Sequence, residues 1–204
     1  RCSGRRRGRV CPGRDDFAGD WYHTGQWPRE GVDFRGKRVA QIGTGSTGIQ
    51  TAPLIAEQAA HLTVFQRTAN YSIPARNHPL SDGFKRYVKE NHDEIRRMMH
   101  FSPNGHSFLP SDRSALDSTP EERERVYEAA WEIGGLRFRT AYRDIIASEA
   151  ANKTAADFIK KKIRKIVKDP ATAEVLADID HPYGSKRPPI DTGYFETFNR
   201  ENVS

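Results

Sequence analysis

The sequence is poor in the features that would tie it to a membrane, to secretion or to a metal. No apolar run approaches the length of a bilayer span, so no membrane-crossing helix is expected. No apolar signal-peptide core lies near the start, and the first residue is Arg rather than Met. The chain therefore reads as an internal piece of a longer one. Only two cysteines occur, Cys2 and Cys11, with no Cys or His partners at metal-ligand spacing. Neither a disulfide framework nor a metal site is supported, and a reducing, cytoplasmic compartment is expected. Acids are absent from residues 1–14, which hold six of the 33 basic residues. The other 27 basic residues match the 27 acidic ones, so the net charge of +6 describes an arm and not a basic surface. That arm lacks interleaved aromatics and no nucleic-acid module follows it, so nucleic acid is not an expected partner. Residues 78–180 show no paired carboxylates or Ser/His/Asp arrangement that would make that stretch catalytic by itself. Asp112, Asp117, His92, His100 and His106 are scattered and read as structural.

What is present is concentrated between Lys37 and Thr68. Val39, Ala40 and Ile42 make a short apolar strand that runs into Gly43-Thr44-Gly45-Ser46-Thr47-Gly48. A helix is expected from about Thr47 to Gln58, then a second strand from Leu62 to Phe65. Strand, glycine turn, helix and strand within about thirty residues form the setting of a dinucleotide fingerprint. Gly43 suits the tight turn, Gly45 the approach of backbone to a pyrophosphate, and Gly48 the close packing of helix on strand. An ordinary βα turn without a ligand has the same spacing, but the free N–H groups and dipole at a helix start favour phosphate. The second strand ends in Gln66-Arg67-Thr68, and no acid occurs between Thr63 and Ser81. An NAD site would place a carboxylate there for the ribose hydroxyl. A guanidinium and a hydroxyl suit a 2′-phosphate, so NADP(H) is the expected cofactor.

The flanks are less regular. Residues 12–36 read as a connector, with turn signals at Pro12-Gly13, Gly31 and Gly36. It contains Phe17-Ala-Gly19-Asp-Trp-Tyr-His23-Thr-Gly-Gln-Trp27-Pro28, which is either a loop pinned by buried aromatics with His23 at the surface, or a functional segment. Residues 78–180 read as helical, with Phe84, Tyr87, Val88 and Ile95, then Val126, Tyr127, Ala130 and Ile133, at helical spacing. Ser118-Thr119-Pro120 should start a helix that Gly134-Gly135 stops. Further helices are expected over Tyr142–Ala150 and from about Thr154 to Val167, with Asp169-Pro170 ending the latter. The run Lys160-Lys161-Lys162-Ile163-Arg164-Lys165 reads as a solvated face, with Phe158, Ile159, Ile163 and Ile166 or Val167 turned inward. The last segment, His181 to Tyr194, combines turn residues with the adjacent cations Lys186 and Arg187. On composition alone it is an exposed loop.

Two of these stretches carry a resemblance. FAGDWYHTGQWP fits FxGxxxHxxxWP, the fingerprint of Baeyer–Villiger monooxygenases, through Phe17, Gly19, His23, Trp27 and Pro28. GTGSTG, QRTANYSIPARN and YGSKRPPIDTGYFETFNRENV follow in the order of that family, and Trp27 resembles its ketone-oxidising branch more than the N-oxygenating flavin monooxygenases. The resemblance covers residues 12 to 204 and departs in the arm, RCSGRRRGRV. It implies an α/β fold: a Rossmann-type, three-layer dinucleotide domain interrupted by a helical insertion, within a flavoprotein of two dinucleotide domains. Its parts would be an arm (1–11), a connector (12–36), the NADP-binding segment (37–77), the helical insertion (78–180) and a return segment (181–204). It implies FAD and NADPH as cofactors, FAD held mostly by segments outside this sequence, with O2 and a ketone as substrates and a C4a-peroxyflavin as the oxidant. Gly43 to Gly48 would hold the pyrophosphate and Arg67 with Lys186 the 2′-phosphate. Arg187 would be the active-site cation and His23 a hinge residue. For these residues in isolation, an NADP-binding module or an inactive fragment without turnover is the alternative, and an N-oxygenating flavin monooxygenase relative is the other.

Overall fold

The computed structural model describes residues 13–102 and 105–204, so the arginine-rich arm and both cysteines lie outside the described residues. The chain divides into two compact units, one ending at Asp33 and the other running from Phe34. The first is a connector with no strand among its described residues. It holds short 3₁₀ turns over Arg14–Asp16 and Thr24–Gln26, joined by extended backbone.

The second unit begins with strand β1 (Arg38–Ile42), helix α1 (Ser46–Gln58) and strand β2 (His61–Phe65). β1 and β2 pair in parallel, with Val39 opposite Leu62 and Gln41 opposite Val64. Parallel neighbours need a crossover, and α1 supplies it. Its buried residues Ile49, Ala52, Ile55 and Ala56 are spaced for one helical face. Along β1, Val39 and Gln41 are half-buried while Arg38, Ala40 and Ile42 are exposed, the period-two pattern of a strand covered on one side. The chain end joins the same sheet. Leu62 N donates to Asn202 O (2.8 Å), Ser204 N to Leu62 O (2.9 Å) and Val64 N to Ser204 O (2.7 Å). Residues 202–204 thus lie parallel to β2 on the edge away from β1, a spatial order of third, second and first that suits a Rossmann-type half.

Between these strands the chain forms a second parallel pair, β3 (Ile73–Pro74) with β4 (Ile190–Asp191), and mainly helices from 82 to 177. The helices are α2 (Asp82–Glu90), α3 (His92–Phe101), α4 (Pro120–Ile133), α5 (Glu149–Ile166), α6 (Pro170–Ala177) and, after β4, the single turn α7 (Tyr194–Thr197). Thr119 caps α4 with a reciprocal Glu122 bond and Pro120 takes the first position. Gly134 ends that helix with φ of 75°. Tyr127, Trp131, Phe138 and Phe158 then pack ring against ring, with centroids 5.4 to 6.3 Å apart. This aromatic cluster is the core of the helical part.

Two helix expectations need correction. Residues 141–147 form turns and not the first part of a helix over 142–150. The Asp144 carboxylate takes the Ala115 N–H (2.9 Å) and the Ser114 hydroxyl (2.6 Å), fixing a bend, and Ser148 then caps α5. Asp169-Pro170 closes α5 but also starts α6, because Asp169 accepts from Thr172 N and proline fits the first helical position. The basic run on α5 lies as the periodicity implies: Phe158, Ile159, Ile163 and Val167 are buried. Three of its cations are spent within the molecule, Lys161 on Glu124 (2.6 Å), Lys162 on Glu128 (2.7 Å) and Arg164 on Glu174 (2.6 Å).

The last connection is anchored by one amide. Asn152, buried in α5, donates to Ile145 O (2.8 Å) and Tyr183 O (2.7 Å) and accepts from Tyr183 N (2.9 Å). Asn152→Ala would leave these backbone groups buried without partners. A loss of about 2–4 kcal/mol is expected, read as a lowered urea midpoint. An unchanged midpoint would show that the anchor is dispensable.

Candidate functional site

The turn from β1 into α1 is built by glycine. Gly43 has φ of +102°, a conformation that side-chain-bearing residues avoid. Its N–H donates to Phe65 O (2.9 Å), which ties the turn to the end of β2. A Cβ on Gly48 would lie 2.2 Å from Gly43 O, so α1 can begin against this turn only if residue 48 has no side chain. At Gly45 a Cβ would meet nothing within 4 Å, and the space beside it is open. Gly45 is also the N-cap, with no side-chain cap and no acid in the first turn. By contrast, Ser81, Thr119, Ser148 and Asp169 close the starts of α2, α4, α5 and α6 with side-chain oxygens. The start of α1 therefore presents unfilled N–H donors, the positive end of the helix dipole, and room for an anion. Thr44 is half-buried and Ser46 and Thr47 are exposed on this rim.

Gln41 belongs to this cradle, and the motif does not reveal it. Its amide nitrogen donates to Gly48 O (3.1 Å) and lies 3.4 Å from Gly43 O, while its oxygen accepts from the Thr51 hydroxyl (3.3 Å). It fastens turn to helix from below. A polar residue at a helix-facing strand position was the available signal.

The chain after β2 and the return segment are zipped together over residues 70–75 and 181–191. Asn70 Nδ2 donates to Arg187 O (3.4 Å), Tyr71 OH to His181 O (2.9 Å), Ile73 N to Pro189 O (3.1 Å) and Ala75 N to Asp191 O (2.7 Å). Ser72 hydrogen-bonds the buried Asp191 carboxylate, whose other oxygen accepts from Tyr194 N. This brings Arg67, four residues before Tyr71, into the same part of the unit as Lys186 and Arg187. All three cations are exposed, and none forms an ion pair among the described residues. Thr68 is half-buried; Gln66 spends its amide on Val175 O of α6 (3.3 Å). His181 hydrogen-bonds Asp180, and that contact, against slight burial and helped by Lys186, holds the Asp180 carboxyl below the usual carboxylate range. Burial, followed by the charges of Asp157 and Asp180, pushes the Tyr71 phenol up.

In the connector unit, Phe17 lays its ring over Gly19, where a Cβ would fall 2.7 Å from the ring. His23 caps the turn over Thr24–Gln26, its Nδ1 accepting from Gly25 N (3.1 Å). Tyr22 and Trp27 stand with ring centroids 5.8 Å apart, before Pro28. Phe17, Trp21, Tyr22 and Trp27 are exposed. No helix among the described residues is long and apolar enough to cross a membrane, and none of their side chains cluster as metal ligands.

No known family model matches the chain. Individual proteins do. A Baeyer–Villiger monooxygenase of Pseudooceanicola batsensis is 48% identical over 195 residues, covering 94% of this chain and 35% of that protein. Phenazine N-monooxygenase PhzNO1 of Lysobacter antibioticus is 44% identical, with 95% and 36% covered. Among solved structures, an oxidized steroid monooxygenase bound to NADP superposes with a TM-score of 0.91 at 51% identity, covering 96% of this chain and 37% of that one. The chain spans about a third of the length of the curated relatives it matches.

Gly48→Ala is expected to cost at least about 2 kcal/mol, because turn and helix must part to admit the methyl group. Gly45→Ala, with open space around it, should leave stability almost unchanged. Thermal unfolding of the two variants checks the contrast; equal midpoints would contradict it.

Proposed function

On the premise that the chain is homologous to about a third of the Baeyer–Villiger monooxygenases, we propose that it forms the NADP-binding part of an FAD- and NADPH-dependent monooxygenase. The whole enzyme would place one oxygen atom of O2 into a ketone, giving an ester or lactone and reducing the other atom to water. One observation carries the reading: the glycine-built, uncapped start of α1 opens beside a strand end that carries a guanidinium and no carboxylate. NADPH and FAD would supply the hydride and the oxygen-activating ring; the protein supplies position and field.

In this reading the N–H groups at the start of α1, from Gly45 onward, hold the pyrophosphate, and the Ser46 and Thr47 hydroxyls are on its rim. Arg67 and Lys186 grip the 2′-phosphate, with Thr68 as a hydroxyl donor beside them. Arg187 is the candidate catalytic residue: a fixed cation that lowers the energy of negative charge on the reacting oxygen. Gln66, whose amide is engaged with α6, contributes to cofactor binding through its backbone or by holding that wall. The helices between β3 and β4 are then an insertion that interrupts the dinucleotide domain before its third strand at 202–204. The segment from Phe17 to Pro28 is a connector whose turn is set by the His23 cap, with His23 as its hinge residue. The working compartment is cytoplasmic.

The 44% identity to a phenazine N-monooxygenase keeps one second reading in view: the same cofactor machinery serving oxidation at nitrogen. Trp27 and the Baeyer–Villiger relative favour the ketone. Turnover of a cyclic ketone against an aromatic amine by the whole enzyme separates the two.

Calorimetric titration with NADPH and with NADH tests the cofactor assignment. NADPH should bind more tightly, and Arg67→Ala should weaken it about tenfold or more, with NADH little changed. Equal affinity for both cofactors would overturn the role given to Arg67.

A further inference from the structure

Arg67 and Lys186 lie 119 positions apart in sequence, yet a 2′-phosphate gripped by both needs them at a fixed separation. Neither side chain is held by an ion pair among the described residues, so their spacing rests on the backbones that carry them. Those backbones are zipped together from residue 71 onward, and nearest Arg67 they are joined by one polar chain through Asn70. The Asp180 carboxylate faces His181 Nδ1 (3.0 Å), His181 Nε2 faces Asn70 Oδ1 (3.1 Å), and Asn70 Nδ2 donates to Arg187 O (3.4 Å).

The amide orientation follows from chemistry. Arg187 O can only accept, so the Asn70 nitrogen must point to it, and the Asn70 oxygen is left for His181 Nε2 as donor. The Asp180 carboxylate also only accepts, so both His181 contacts are hydrogen bonds at once when the ring carries an N–H on each nitrogen. Both ends of the Asn70 side chain are thus committed to the return segment, one at His181, five residues before Lys186, and one at the backbone of Arg187 itself. His181 is itself held. Its side chain is 10% exposed, Tyr71 packs edge-on against its ring at 5.5 Å, and the Tyr71 hydroxyl donates to its carbonyl oxygen (2.9 Å). Tyr183, two residues on, is fixed by Asn152. The loop carrying the cations is therefore anchored at its base while Lys186 and Arg187 project freely.

We infer that Asn70 and His181 form a latch that sets the spacing of Arg67 and Lys186 and so determines 2′-phosphate selectivity, as positioning residues that touch no cofactor themselves. The inference rests on the NADP reading above. It goes beyond that reading by making selectivity depend on an uncharged amide and a histidine three and five positions from the cations. With the latch intact, the two cations act as one clamp. With it broken, each still attracts phosphate, but they no longer act together.

The test is the ratio of NADPH to NADH affinity, by calorimetry on the purified chain. Asn70→Ala and His181→Ala should each lower the ratio about tenfold, the scale of one lost net hydrogen bond. NADH affinity should stay near the parent value, which also serves as the control for folding. His181→Gln, which keeps a donor for Asn70, should recover part of the ratio. Arg67→Ala and Lys186→Ala should be non-additive in the parent, and that non-additivity should vanish in the Asn70→Ala background. If Arg67→Ala shifts the ratio but both latch variants leave it unchanged, or weaken both cofactors equally, the latch is overturned and the NADP reading stands. If Arg67→Ala itself leaves the ratio unchanged, or the parent binds neither cofactor, the reading falls and the latch with it.

Discussion

Everything proposed for this chain depends on one close approach, that of Gly48 to the carbonyl oxygen of Gly43. A helix that begins this near the end of its own strand has no space for a side chain at the contact, as the 2.2 Å clearance of a built Cβ shows. That approach aims the first turn of α1 at the mouth of the sheet and leaves its N–H groups unfilled. Gln41 secures it from the strand side through Gly48 O and Thr51, and Phe65 O secures it from β2 through Gly43 N. A helix start left polar and unpaired is a stability cost that Ser81, Thr119, Ser148 and Asp169 avoid at α2, α4, α5 and α6. Helix α3 lacks a side-chain cap but carries Asp93 and Glu94 in its first turn. The open start of α1 makes physical sense when an anion completes it.

The distribution of positive charge follows the same division between structure and function. In the Lys160–Lys165 run, the most conspicuous basic stretch of the helical part, Lys160, Lys161, Lys162 and Arg164 are engaged by the Ile179 carbonyl, Glu124, Glu128 and Glu174. Such surface pairs contribute little energy each, but they remove those cations from the list of ligand-binding groups. Arg67, Lys186 and Arg187 are left unpaired among the described residues, on two segments that hydrogen bonds from Asn70 to Asp191 bring together. Long-range anchoring by Asn152 and Tyr71 holds those segments while their cationic side chains remain free to meet a ligand.

The sequence discloses local order well and long-range order poorly, for reasons visible at particular residues. The strand, glycine turn and helix from Val39 to Gln58 were legible because each glycine answers a local steric demand. The buried face of α5 was legible because Phe158, Ile159 and Ile163 repeat at helical spacing. The bend at 141–147 was not, because Tyr142 and Ile145 share that spacing while the bend is imposed by Asp144 reaching back to Ser114 and Ala115. Asp169-Pro170 is both an end and a start, and only its cap bond to Thr172 tells which. Gln41, Asn70, Asn152 and His181 carry no motif. Asn70 and His181 find each other across 111 positions, and nothing local to either announces the partner.

The account's central claim is that the open start of α1 receives the cofactor's pyrophosphate. Hydrogen exchange of the amides from Gly45 to Ile49, followed with and without NADPH, tests it most directly. Protection of the Gly45–Gly48 amides on NADPH addition, with the already paired Ile49 amide changing little, is the predicted result. Unchanged exchange across that turn at an NADPH concentration that saturates binding would place the cofactor elsewhere and contradict the account.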